Sequence, residues 1–254
     1  MEIISYNSEN WIKRIEKRNA IKSPVTEKEI SQVLEKKEVF NLTPQKKVPY
    51  KWYGDVKDKK ILCLMCSGGR ETVLFSALGA DVTVLSSNIE SILLDKEVSE
   101  HYNLYVNTVF GSFKDLCRIE EESYDMVFLS SSNMYVSNRE PVIKECFRLL
   151  KKGGTLLSGF TNPKTFVFSD LISISEEEKV SIPYYSLVTK KIEQFENENK
   201  DTKDSDDTKV LSEFFKNYIS SGFKVVDYYI DNSGIDLLDK YIESYIAVNA
   251  EKPL

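Results

Sequence analysis

Apolar and polar positions along the middle of the chain follow two different periods. Ile61 to Met65 is an unbroken apolar run, the pattern of a strand buried on both faces of a parallel sheet. The run breaks at Ser67-Gly68-Gly69. Val73, Leu74, Ala77 and Leu78 then recur at helical spacing, Gly79 stops that helix, and Val82 to Leu85 reads as a second strand. A strand, a tight glycine-bearing turn, a helix and a strand set backbone N–H groups and a helix N-terminus over the carboxyl edge of a sheet, where ligands bind.

The alternation continues downstream. Residues 89–102 read as a helix with Ile92, Leu93 and Val98 inward, Leu104 to Val109 as a third strand, and Tyr124 to Leu129 as a fourth. Residues 138–151 form a helix capped by Asn138, with Val142, Ile143, Phe147 and Leu150 buried; Gly153-Gly154 breaks it, and Thr155 to Phe160 is a fifth strand. This order predicts right-handed crossovers and a parallel sheet. Phe166 to Ile174 is apolar and helical in character, and Ile182-Pro183-Tyr184-Tyr185 is irregular and aromatic. Residues 193–209 are charged with little to bury, which predicts a mobile loop. A helix over 210–221 ends at Gly222. Phe223 to Ile230 and Tyr241 to Val248 then form an antiparallel pair at the sheet edge.

Residues 1–58 read as two helices and a polar arm. Trp11, Ile12 and Ile15 make one apolar stripe. Thr26 and Glu29 form a capping box opening a second helix that carries Ile30, Val33 and Leu34. Leu42 to Tyr53, with Pro44 and Pro49, is expected to be extended, with Trp52 and Tyr53 as anchors. The expected organisation is an N-terminal helical cap and arm, 1–58, followed by a main domain, 59–254.

At 254 residues and 41% hydrophobic, the chain suits one such domain with additions. A net charge of −6 argues against a bulk nucleic-acid partner, which needs a basic face; Lys57, Lys59 and Lys60 read as a solvated turn. No apolar run is long enough to cross a bilayer, and MEIISYNSEN has neither a basic nor an apolar leader region, so a cytoplasmic protein is expected. Cys63 and Cys66 have zinc-like spacing, but no second pair matches it, so no metal is expected. Cys63 inside the first strand should act as a small apolar residue. The one histidine, His101, reads as a surface group.

Three segments carry a resemblance. They are ILCLMCSGG at 61–69, Ser123-Tyr-Asp-Met-Val-Phe128, and Phe147-Arg-Leu-Leu-Lys-Lys-Gly-Gly-Thr-Leu-Leu157. Together with the element order they resemble the class I S-adenosylmethionine-dependent methyltransferases, over most of the chain. The resemblance implies a Rossmann-like three-layer α/β sandwich whose seven-stranded sheet is mostly parallel with an antiparallel last strand. It implies S-adenosylmethionine as cofactor and methyl transfer to a small or otherwise unidentified acceptor. The glycine turn also lacks the G-x-G-x-x-G of dinucleotide folds. By the resemblance, the cofactor lies against Cys66, Ser67, Gly68 and Gly69. The ribose falls near Ser86, Ser87 and Asn88, and the adenine near Ser112 and Phe113, with Ser130 at the end of the fourth strand. Asn133, Tyr135, Tyr184 and Tyr185 fall on the acceptor side. No residue stands out as a general base.

The departures from the family pattern gather at the cofactor. Cys63 stands where an acid is common, Met65 and Ser67 where glycines are usual, and Lys152 where proline is usual. Ser86 replaces the ribose-binding carboxylate and Ser112 the acid that meets the adenine amino group; Asp115, nearby, reads better as a turn or cap residue. Losing a charged ribose contact costs about 1.5–3 kcal/mol, so weakened cofactor affinity is expected. The competing expectation is a catalytically inactive methyltransferase-like protein that serves as a binding or partner subunit.

Overall fold

The computed structural model describes residues 24–64, 66, 68–130, 139–162, 207–232, 234, 239 and 243–254. The elements are α1 (Glu27–Leu34), α2 (Tyr50–Tyr53), β1 (Lys60–Leu64), α3 (Glu71–Ala77), β2 (Asp81–Ser86), α4 (Ile89–His101), β3 (Asn107–Phe110), a 3-10 turn (Phe113–Arg118), β4 (Tyr124–Leu129), α5 (Arg139–Leu149), β5 (Leu150–Thr161), α6 (Asp207–Ser220), β6 (Lys224–Asp231) and β7 (Tyr245–Glu251). The seven strands lie in the order β3-β2-β1-β4-β5-β7-β6. β1 to β5 pair in parallel, and β7 runs antiparallel between β5 and β6. This is the Rossmann-like sandwich expected from the alternation of elements, with the final hairpin at one edge.

Both faces of the central strands are covered, so alternate residues feed two cores. Ile61, Cys63, Val82, Val84, Met126 and Phe128 face one core, under residues 25–56, α3 and α4. Leu62, Leu64, Leu85, Val127, Leu129 and Leu156 face the other, under α5 and α6. The described part of the N-terminal region is integral to the first core. Phe40 stacks on Phe75 with centroids 4.1 Å apart, and Tyr53 and Phe128 close the cluster edge-on.

The Thr26–Glu29 capping box forms, with Thr26 N–H donating to Glu29 Oε2 at 3.0 Å and Glu29 N–H to Thr26 Oγ1 at 3.3 Å. The arm differs from its extended reading. Residues 50–53 are a short helix, and Asn41 and Lys47 close a turn through a β-bridge. The turn is pinned by Asp231 at the end of β6. Its Oδ2 accepts the Thr43 hydroxyl at 2.7 Å and the Gln45 and Lys46 N–H groups at 2.8 Å each.

Other expectations shift by particular amounts. Leu34 and Leu93 are each 58% exposed; Val33 is buried as expected, and Leu94 faces inward in place of Leu93. β3 begins at Asn107, not Leu104, because α4 ends in a turn with Asn103 at φ +54° and the Leu104 N–H on Ser99 O. β5 starts at Leu150, five residues early, carried through Gly153 at φ +75°. α6 starts at Asp207, so the last three residues of the expected 193–209 loop are helical. β7 ends at Glu251 rather than Val248 because its pairing with β5 continues through Thr155. The expected stripe at Trp11, the cap Asn138 and the segments 166–174 and 182–185 lie outside the described residues.

Candidate cofactor site

The carboxyl ends of β1, β2, β3 and β4 line up along one edge, at Leu64, Ser86, Phe110 and Leu129. Each is followed by residues expected to bind. Of these, Ser67, Asn133, Tyr135, Tyr184 and Tyr185, and also Met65, lie outside the described residues. The others are described.

After β1 the chain turns tightly against α4. A Cβ on Gly68 would sit 2.7 Å from the Ser91 carbonyl oxygen, and one on Gly69, at φ +77°, would sit 2.6 Å from Val98 Cγ2. The glycine pair therefore answers first to helix packing. The backbone groups of Gly69 are already used: its N–H donates to Asp95 Oδ1 at 2.7 Å, and its carbonyl accepts from Val25 N–H at 3.0 Å. Asp95 Oδ1 also takes the Thr72 hydroxyl at 2.5 Å. α3 has no side-chain cap of its own, so a carboxylate from α4 serves the start of this helix. Burial raises the Asp95 carboxyl to about 7, against the lowering effect of its two donors.

Cys66 lies between these groups and the sheet, with its thiol turned to the Leu64 and Phe128 carbonyls at 3.8 and 3.9 Å. A hydrogen bond shared with Cys63, burial, and the charges of Cys63, Glu71 and Asp95 push this thiol well up, so it stays protonated. It can offer a cofactor its backbone only. Arg70 is held by Glu29 of α1, which ties the turn to the N-terminal helix.

At the end of β2, Ser86 is buried and its Oγ accepts the Asn88 N–H at 3.1 Å. Ser87 and Asn88 are exposed. Asn88 caps α4, with Oδ1 accepting from Glu90 and Ser91 N–H at 2.9 and 3.2 Å. After β3, Ser112 and Asp115 form a reciprocal capping box. Asp115 Oδ2 accepts the Ser112 N–H at 2.9 Å, and these bonds hold its carboxyl below the ordinary range. Asp115 is thus a cap. Phe113 is half-buried in the second core, and Ser130 is buried at the end of β4. Phe110 and Ile89, 64% and 52% exposed, offer apolar surface at the ends of β3 and β2.

The arrangement fits S-adenosylmethionine in outline. A close-packed turn lies at the edge, small hydroxyls stand at the end of β2 and after β3, and apolar surface is exposed beside them. Asp95 and its neighbour Glu71 were not singled out in the sequence. Their signal was present: Asp95 falls three residues after Ile92 and three before Val98, on the inward stripe of α4, where an acid must have a reason to be. His101 is exposed, and Cys63 is buried in the first core. Among the described residues, no group of three or more His, Cys, Asp or Glu side chains could hold a metal, and no helix is long and apolar enough to cross a membrane.

Residues 62–158 match the model of a family described as a methyltransferase domain. The chain is 34% identical to "Uncharacterized methyltransferase YbaJ" of Bacillus subtilis (strain 168), over 98% of each protein. It is 29% identical to the ubiquinone biosynthesis O-methyltransferase of Glaesserella parasuis serovar 5, over 41% of this chain and 46% of that one. Among solved structures, its fold is similar to CrArsM, an arsenic(III) S-adenosylmethionine methyltransferase from Chlamydomonas reinhardtii, with a TM-score of 0.55 and 11% identity over 91% of this chain and 71% of that one. Strand order, glycine turn and whole-length kinship agree: the chain belongs to the class I S-adenosylmethionine-dependent methyltransferases.

Proposed function

We propose that this methyltransferase acts on a small polar molecule, held where β5, β7 and β6 reach the carboxyl edge. One observation carries the reading. Among the described residues, Thr161 Oγ1, Ser244 Oγ and Asn232 Oδ1 are buried there without hydrogen-bond partners. Register makes them neighbours: Thr161 and Asp231 both pair with Tyr245, and Asn162 N–H donates to Ser244 O at 2.8 Å. Buried polar atoms without partners are costly, and a polar acceptor would supply them. The net charge of −6 favours a small acceptor over a polyanion. Two of the similar proteins are named for ubiquinone biosynthesis and for arsenic(III).

In this reading the Cys66–Gly68 backbone, Ser86, Ser87, Asn88, Ser112, Phe113 and Ser130 surround the cofactor. Asn133, Tyr135, Tyr184 and Tyr185 complete the acceptor side. S-adenosylmethionine supplies an electrophilic methyl group on a sulfonium. The protein's task is to hold the acceptor atom in line with it and exclude water, for which positioning suffices. A second reading, a non-catalytic partner subunit, draws on Ser86 and Ser112 in place of carboxylates. Calorimetric titration with S-adenosylmethionine and S-adenosylhomocysteine separates the two. Methyl-labelled cofactor incubated with fractionated cell extract then tests the acceptor. Label in the low-molecular-mass fraction is expected; label confined to protein or nucleic acid would refute a small acceptor.

A further inference from the structure

We propose that Glu71 and Asp95 form a buried carboxylate pair that receives the α-ammonium group of bound S-adenosylmethionine. The inference rests on the reading of the Cys66–Gly69 turn as the cofactor turn. Glu71 is the first residue of α3 and Asp95 the seventh of α4; they are 3% and 0% exposed. Among the described residues, Glu71 Oε2 and Asp95 Oδ2 are both buried without a hydrogen-bond partner. The two groups are close enough that Glu71 raises the Asp95 carboxyl, and both act on the Cys66 thiol between them and the sheet.

A buried carboxylate oxygen without a donor needs a proton or a cation. The guanidinium nearest in sequence, Arg70, is bound to Glu29. Ribose at β2 and adenine at β3 leave the amino-acid end of the cofactor over β1 and the start of α3, where the pair lies. The first strand contributes Cys63 at the position where the family commonly has an acid. Glu71 and Asp95 supply negative charge there from two helices instead.

Without ligand, Asp95 holds a proton in about half of the molecules at pH 7. When the ammonium arrives, that proton leaves to solvent and two charged hydrogen bonds form in its place. Among the described residues, the Cys66 thiol, with Cys63 beside it, is the titratable group on which both carboxyls act.

The test uses calorimetry near pH 7, about where Asp95 titrates, in two buffers of different ionisation enthalpy. The ligands are S-adenosylmethionine, S-adenosylhomocysteine and methylthioadenosine, which lacks the amino-acid group. Binding of the first two should release about half a proton at this pH, and methylthioadenosine none. Glu71→Gln should weaken the first two by about tenfold or more and leave methylthioadenosine unchanged. Binding of S-adenosylmethionine without proton release would overturn the pair, as would an equal loss for all three ligands or proton release that Glu71→Gln leaves unaltered. Should that variant fail to fold, the proton count on the wild-type protein decides. If none of the three binds the wild type, the cofactor reading itself fails, and the pair with it.

Discussion

At the scale of single residues, the side chains that distinguish this site are acids in unexpected places and hydroxyls where acids are usual. Asp95 has the more direct consequence. Its folded-state value of about 7 lies above the ordinary aspartate value of about 3.9. Between those two pH values the folded protein holds a proton that the unfolded chain has lost, so the linkage lowers stability as pH rises through this window. Asp95→Asn keeps an oxygen for the Gly69 N–H and the Thr72 hydroxyl but carries no charge. In denaturant titrations it should match the wild type near pH 4 and exceed it by up to about 4 kcal/mol near pH 8. Asp95→Ala leaves both buried donors unpaired and should cost about 2–3 kcal/mol at either pH. Ser86 offers the complementary experiment. An aspartate there can still accept the Asn88 N–H and could accept from both ribose hydroxyls. Ser86→Asp should tighten S-adenosylmethionine binding about tenfold, or about 1.4 kcal/mol. Unchanged or weaker binding would mean that ribose is recognised another way.

At the scale of elements, the turn after β1 and helix α4 behave as one unit. Gly69→Ala combines a positive φ with a Cβ 2.6 Å from Val98 Cγ2, and should cost about 2–4 kcal/mol. Val98→Ala removes the obstacle but not the backbone strain. The double variant should therefore be less destabilised than the sum of the two singles by about 1 kcal/mol, measurable as a double-mutant cycle. This coupling marks the limit of what the chain reveals by itself. β1 and β4 were legible because each is an apolar run bounded by polar turns, and the Thr26–Glu29 box because its partners are three residues apart. Helix α4 was legible as a helix with Ile92 and Val98 inward, but not which of Leu93 and Leu94 joins them. Leu93 and Leu94 are equally apolar, and only the turn at Gly68 and Gly69 decides that Leu94 packs inward. Asp95 was overlooked for the same reason, since its partners come from a different element. At the site, strand order was legible, and with it that the ends of β1 to β4 share one edge. It could not show that Ser112 and Asn88 are engaged in caps, because a cap and a ligand contact use the same side chains.

At the scale of the molecule, the arm of residues 41–53 joins the sheet's far edge to its centre. Lys51 and Trp52 both donate to Asp227 on β6, Trp52 stacks on Tyr229, and Asp231 gathers the turn at Thr43 to Lys46. Asp231→Ala removes the acceptor for three donors of the arm. It should cost about 2–4 kcal/mol and open residues 41–47 to limited proteolysis, while the parallel half of the sheet keeps its hydrogen-exchange protection. The Thr43–Asp231 bond spans 188 positions in the chain. Its two halves are thus made far apart in time during translation. The arm is synthesised before the strand it docks on, and β7, which holds that strand in the sheet, follows β6. Until both strands have been made, Trp52 and the turn at Thr43 have no partner from β6, so docking of the arm comes after the parallel half of the sheet can pair.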